Sequence, residues 1–170
     1  MYDEINSWFG GRLPADWFTS TPALTVDRDE ITVIGTLAVP DDAGDTDEAR
    51  RAAEEGRIAR FREQTREERI QMAREAERRF ERKVAWGASC GDTSTVFTQV
   101  AAPVMTRLRQ PERIVLDTLV DAGVARSRSH ALAWCVRLVG QHSGDWLAEL
   151  RAALSDVERL RSAGPDAAAS

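Results

Sequence analysis

A chain of 170 residues with 42% apolar and 30% charged side chains can bury a real core, and by size it holds one domain or two small ones. Its net charge of −5 excludes wholesale, non-specific attraction to nucleic acid, which needs cationic surface over most of a molecule. No apolar run approaches the roughly 20 residues of a membrane helix, and the amino terminus opens on Asp3 and Glu4 rather than a basic run, so a cytoplasmic protein with no membrane segment is expected.

Residues 6–18 repeat a Trp-Phe pair, Trp8-Phe9 and Trp17-Phe18, around Gly10-Gly11 and Pro14. So turn-rich a segment is expected to form no helix of its own and to dock its rings on a core made elsewhere. Residues 24–39 read as a β-hairpin, with β-branched runs on both sides of Asp27-Arg28-Asp29-Glu30 and Pro40 as a stop. The acids at that turn have neither the glycine nor the distal glutamate of a calcium loop, so a solvated turn is expected and no metal site.

After the acidic linker Asp41–Asp47, where Thr46 or Asp47 can act as a cap, a helix is predicted over 48–84 from its Glu, Arg, Ala and Gln content. Its charges nearly balance, which makes a nucleic-acid arm a poor reading. The polar run Arg62 to Arg69 interrupts its apolar stripe, so the helix is expected to pack at both ends and bridge solvent in the middle. Residues 83–101 hold two short β-like runs around Cys90-Gly91-Asp92-Thr93 and are read as a second hairpin. Its hydroxyls lack a partnering base, since neither His130 nor His142 sits in a catalytic motif; no catalytic residues, and hence no enzyme, are expected. Cys90 and Cys135 fit no metal or redox spacing and read as reduced, buried thiols, so no cofactor is expected.

The stretch Val104 to Val139 is the most informative. Val104, Thr106 and Leu108 alternate with Met105, Arg107 and Arg109, which gives a half-buried strand with a basic outer face. Ile114, Val115, Leu116, Leu119 and Val120 recur at helical spacing and stop at Ala122-Gly123, so a helix closes near Asp121. Ser127 or Ser129 can cap a second helix, which carries Ala131, Leu132, Cys135, Leu138 and Val139 and ends near Val139. From Ala101 to Gly140 six arginines face three acids, so this stretch is locally +3 in an acidic chain. Beyond Ser143-Gly144-Asp145, the residues Trp146, Leu147, Leu150, Leu154, Val157 and Leu160 stripe a last amphipathic helix, and residues 163–170 read as a disordered tail.

Strand, helix, glycine turn, Ser127-Arg128-Ser129, helix: this order resembles the ribbon-helix-helix family of small dimeric DNA-binding proteins, over residues 104–139 only. The resemblance implies a homodimer whose paired strands form a ribbon that enters the DNA major groove. It implies that Met105, Arg107 and Arg109 face base edges and that Ser127, Arg128 and Ser129 hold the phosphate backbone. The whole is expected to be an α+β protein: an α+β region over 1–100, then the ribbon-helix-helix-like region with its extra helix over 101–162. The function expected is transcriptional regulation through DNA. The alternative is a non-enzymatic interaction protein that keeps the dimer fold and binds a protein or ribonucleoprotein partner through the charged helix 48–84.

Overall fold

The computed structural model describes residues 2–163, and the protein is α+β. It divides into two compact units that part between Val104 and Met105. The Leu160 side chain and the expected tail lie outside what the structure describes. No helix among the described residues is long and apolar enough to cross a membrane.

The first unit is a four-stranded sheet in the order β1 (Ala23–Val26), β2 (Glu30–Leu37), β3 (Lys83–Cys90), β4 (Thr93–Val96). Both expected hairpins are present as β1–β2 and β3–β4, each antiparallel. They are joined by a parallel pairing of β2 with β3, in which Ile31, Val33, Gly35 and Leu37 stand beside Val84, Trp86, Ala88 and Cys90. Because strand side chains alternate, this register puts all eight residues on one face. That face is the core: Ile31, Val33, Ala88 and Cys90 are wholly buried.

A parallel pair needs a long crossover, and here the charged helical segment supplies it. It is not one helix over 48–84 but two, α2 (Asp47–Gln64) and α3 (Arg66–Phe80), and Lys83 and Val84 belong to β3. Thr46 caps α2 by accepting from the Ala49 amide at 3.2 Å. The break falls at Thr65, whose hydroxyl donates to the Phe61 carbonyl at 2.6 Å, a back-bond that bends helices. Arg69 donates to the Thr65 hydroxyl at 2.9 Å and to the Arg62 carbonyl at 2.6 Å. Its guanidinium also lies 5.0 Å from the centre of the Phe97 ring. The middle therefore does not bridge solvent: Thr65 and Arg69 are both buried. Burial disfavours the charged form of Arg69, and nearby Arg62 and Arg66 disfavour it further.

The aromatic amino-terminal segment also departs from expectation. Residues Tyr2–Arg12 form a helix, α1, despite two glycines near its end. Ile5 and Phe9, four residues apart, are wholly buried and anchor it. Packing on the sheet outweighs the weak helix propensity of Gly10 and Gly11. Arg12 grips Glu75 of α3 with two hydrogen bonds of 2.9 and 3.2 Å. The rings interlock edge to face: Phe9 with Trp86 at 6.0 Å, Trp17 with Trp86 at 6.2 Å, and Trp17 with Phe61 at 5.4 Å. They are core, docked as expected. The acids of the first hairpin shape its turn, since Asp27 accepts from the amides of Asp29 and Glu30 at 2.8 and 2.7 Å.

Two backbone positions give direct tests. A Cβ at Gly35 would fall 2.1 Å from the Phe18 ring, so Gly35→Ala must push that ring off the sheet. Urea unfolding should show a loss of about 1–3 kcal/mol, as for other overpacked cores. Glu81 ends α3 with φ 55°, a left-handed conformation that costs a side-chain-bearing residue about 1 kcal/mol. Glu81→Gly should therefore raise the urea midpoint only slightly, by at most about 0.5 kcal/mol of stability, because the extra freedom of the unfolded glycine offsets half or more of the relieved strain.

Candidate nucleic-acid interface

The second unit holds α4 (Gln110–Asp121), α5 (Arg128–His142) and α6 (Gly144–Ala163). Helix α4 starts with proline in its first turn, where the missing amide costs nothing, and ends at Asp121 as its pattern predicts. Gly123 takes φ 74°, and the amides of Val124 and Ala125 both donate to the Leu119 carbonyl at 3.0 and 3.1 Å. This closes the helix and turns the chain towards α5.

Ser127 is the cap of α5 and accepts from the His130 amide at 3.2 Å. His130 answers with Nδ1, which accepts from the Arg126 amide at 3.1 Å. This reciprocal arrangement has the logic of a capping box, with imidazole in place of a carboxylate. Helix α5 runs to His142, nearly a turn beyond the expected Val139, and Ser143 alone separates it from α6.

Residues 98–109 form neither helix nor strand. The segment enters α4 with Arg109 extended, at φ −80° and ψ 172°, and Arg113 donates to the Leu108 carbonyl at 2.7 Å. Of the expected inward face only Leu108 is half-buried, against a small core of Leu116, Ala125 and Ala131, while Val104 and Thr106 are exposed; the half-buried strand expected here is not formed within the chain, since no described strand pairs with it. Met105, Arg107 and Arg109 are exposed, with Met105 at 96%. No strand lies beside this segment among the described residues.

The six residues of the candidate interface fall into two groups. Met105, Arg107 and Arg109 lie along the segment that enters α4, while Ser127, Arg128 and Ser129 open α5, and all six are exposed. Arg128 has a partner that sequence reasoning missed. Its Nε and Nη2 donate to the two carboxylate oxygens of Asp117 at 2.6 and 2.7 Å, clamping the start of α5 to the middle of α4. Eleven residues separate the pair, and no helical or strand period connects them, so only the fold of the turn reveals it. With Arg128 engaged, the Ser129 hydroxyl and the first amides of α5 are the groups at this end open to an anion.

The unit also exposes much apolar surface. Ile114 and Val115 of α4, Val136 and Val139 of α5, and Trp146, Leu154 and Val157 of α6 are each more than half exposed. Against them stand, among the described residues, three buried ones, Leu116, Ala125 and Ala131.

The Arg128 hydrogen bonds hold the Asp117 carboxyl below the usual carboxylate range. A depressed carboxylate pKa contributes stability above the unfolded value of about 4, and that contribution fades as pH falls through the folded value. The clamp is thus set at neutral pH and released only in acid. In Arg128→Ala, carboxyl NMR should show Asp117 titrating at higher pH than in wild type; unchanged titration would mean the pair does not form in solution.

Comparison with other proteins follows the same division of the chain. The model for the N-terminal domain of Rv1265-like proteins matches residues 3–96, and that for the Mb1296 C-terminal domain matches residues 109–161. Among its relatives are the Mb1296 protein of Mycobacterium bovis and the MT1303 and Rv1265 proteins of two Mycobacterium tuberculosis strains. Each is 57% identical over 159 residues, which is 94% of this chain and 69% of the relative. No solved structure matches. With both domain models matched in order and this identity along nearly its whole length, the chain belongs to the Rv1265-like family.

Proposed function

We propose that this protein is a homodimeric, non-enzymatic DNA-binding protein, a transcriptional regulator that reads the major groove with a two-stranded ribbon built from residues 104–109 of two chains. The observation that carries this reading is the extended entry segment: Val104 is 85% exposed, and the backbone beside it is unpaired by any described strand. An exposed, alternating, unpaired segment that leads into a helix pair is a half-structure, and a second copy related by a two-fold axis would complete it as a ribbon. The uncovered apolar side chains of α4 and α5 favour the same partner, since a monomer rarely leaves so much aliphatic surface in water.

In such a ribbon Val104, Thr106 and Leu108 face the helices, and Met105, Arg107 and Arg109 face outward. Each arginine can donate two hydrogen bonds to the O6 and N7 of a guanine. Ser127, Ser129 and the first amides of α5 would meet phosphate, with Arg128 supporting them through Asp117 rather than reaching out itself. The local excess of arginine over acid suits a specific site in a chain whose net charge discourages indiscriminate binding. The free thiols Cys90 and Cys135 suit a reducing cytoplasm.

The test selects bound sequences from random DNA and then compares wild type with Arg107→Ala/Arg109→Ala on the best site. Each lost bidentate contact should weaken discrimination by about 1–3 kcal/mol, with the dimer mass and thermal midpoint unchanged. A wild-type protein that is strictly monomeric, or that retains no DNA at low salt, would overturn the proposal.

A further inference from the structure

A concavity of about 620 Å³ lies in the first unit, where the turn between β1 and β2 meets the end of α3 and the start of β3. Its wall is almost wholly ionic. Arg28 comes from the hairpin turn, and Arg74 and Arg78, one helical turn apart, come from α3. None of these three guanidiniums makes a hydrogen bond or ion pair among the described residues.

The other cations of the groove have structural tasks. Arg82 donates to the carbonyls of Asp27 and Phe80, at 2.6 and 3.0 Å, and Lys83 pairs with Glu77 at 3.0 Å. Those contacts make a rigid floor, and they occupy the carboxylate nearest in sequence to Arg78. Asp29 and Glu81 also border the groove and pair with none of its arginines. Only Glu81 and Arg82 separate α3 from β3, and the left-handed backbone of Glu81 makes that abrupt reversal, bringing Arg82 and Lys83 alongside Arg78.

The negative end of a helix dipole draws cations to the last turn of α3, which accounts for Arg78. It does not account for Arg74, which stands a turn earlier, or for Arg28, which belongs to a different element. Three unengaged guanidinium forks around one concavity are a complement to an anion with several oxygens. We infer that this groove binds a compact polyanion of the di- or triphosphate type, held by Arg28, Arg74 and Arg78. No aromatic or aliphatic side chain lines it, so recognition is of the phosphate groups and not of a base or an acyl chain. The site is independent of the DNA-binding reading.

Calorimetric titration of the full chain at roughly 0.15 M salt tests this, a concentration at which loose surface attraction is screened. Pyrophosphate and tripolyphosphate should each bind at one site, tripolyphosphate more tightly. Arg74→Ala and Arg78→Ala should each weaken binding about tenfold, and Arg28→Ala similarly, with partial recovery in the lysine variants. Arg60→Ala, outside the groove, should change nothing. Nucleoside triphosphates with different bases, binding alike, would mark a nucleotide's phosphate tail as the source, and their failure to bind would mark free polyphosphate. No heat with either probe, an equal response to sulfate at matched ionic strength, or wild-type affinity in the double variant Arg74→Ala/Arg78→Ala would overturn the inference.

Discussion

The parallel pairing of β2 with β3 is the contact on which the first unit depends. Each hairpin alone would be marginal in water, because two strands cannot cover their own apolar face. Joined in the register that sets Val33 beside Trp86 and Leu37 beside Cys90, they present one continuous apolar surface. A slip of one residue would turn Ile31, Val33 and Leu37 to the opposite face. The pairing also dictates the helices, since a parallel connection has to travel the length of the sheet and return. That return path is α2 and α3, and α1 with its aromatic loop covers the rest of the same face.

Burying Arg69 at the helix break is the least expected feature of this core. A guanidinium away from water is costly unless its donors are used. Here two of them are taken by the Thr65 hydroxyl and the Arg62 carbonyl, and the Phe97 ring covers its face. The break and the burial support each other: the bend frees a carbonyl, and the arginine satisfies it. What reads in the sequence as eight polar residues interrupting a stripe is a polar joint let into an apolar wall.

The second unit has the opposite economy. Its helix pair is well specified locally, with a glycine turn, a serine cap answered by His130, and the Asp117–Arg128 clamp. Its interior nevertheless holds three buried residues among those described, and many of its aliphatic side chains lie outside. That is a small core for the apolar surface the unit carries.

Local signals carried much of this protein in the sequence. Thr46, Gly123 and Ser127 mark their boundaries because caps and left-handed turns are chosen by one or two residues. The two hairpins are legible because β-branched runs flank turn residues. The α+β class and the division near residue 100 follow from where those signals lie. The tertiary structure alone decided that β2 and β3 run parallel, since pairing between hairpins depends on partners some 50 residues apart in sequence. It alone made a helix of Tyr2–Arg12, because burial of Ile5 and Phe9 overrides two glycines, and it alone joined Arg128 to Asp117 and gathered Arg28, Arg74 and Arg78 around one groove. Caps and turns are decided by neighbours in the chain, whereas sheet order, ion pairs and clefts are decided by neighbours in space.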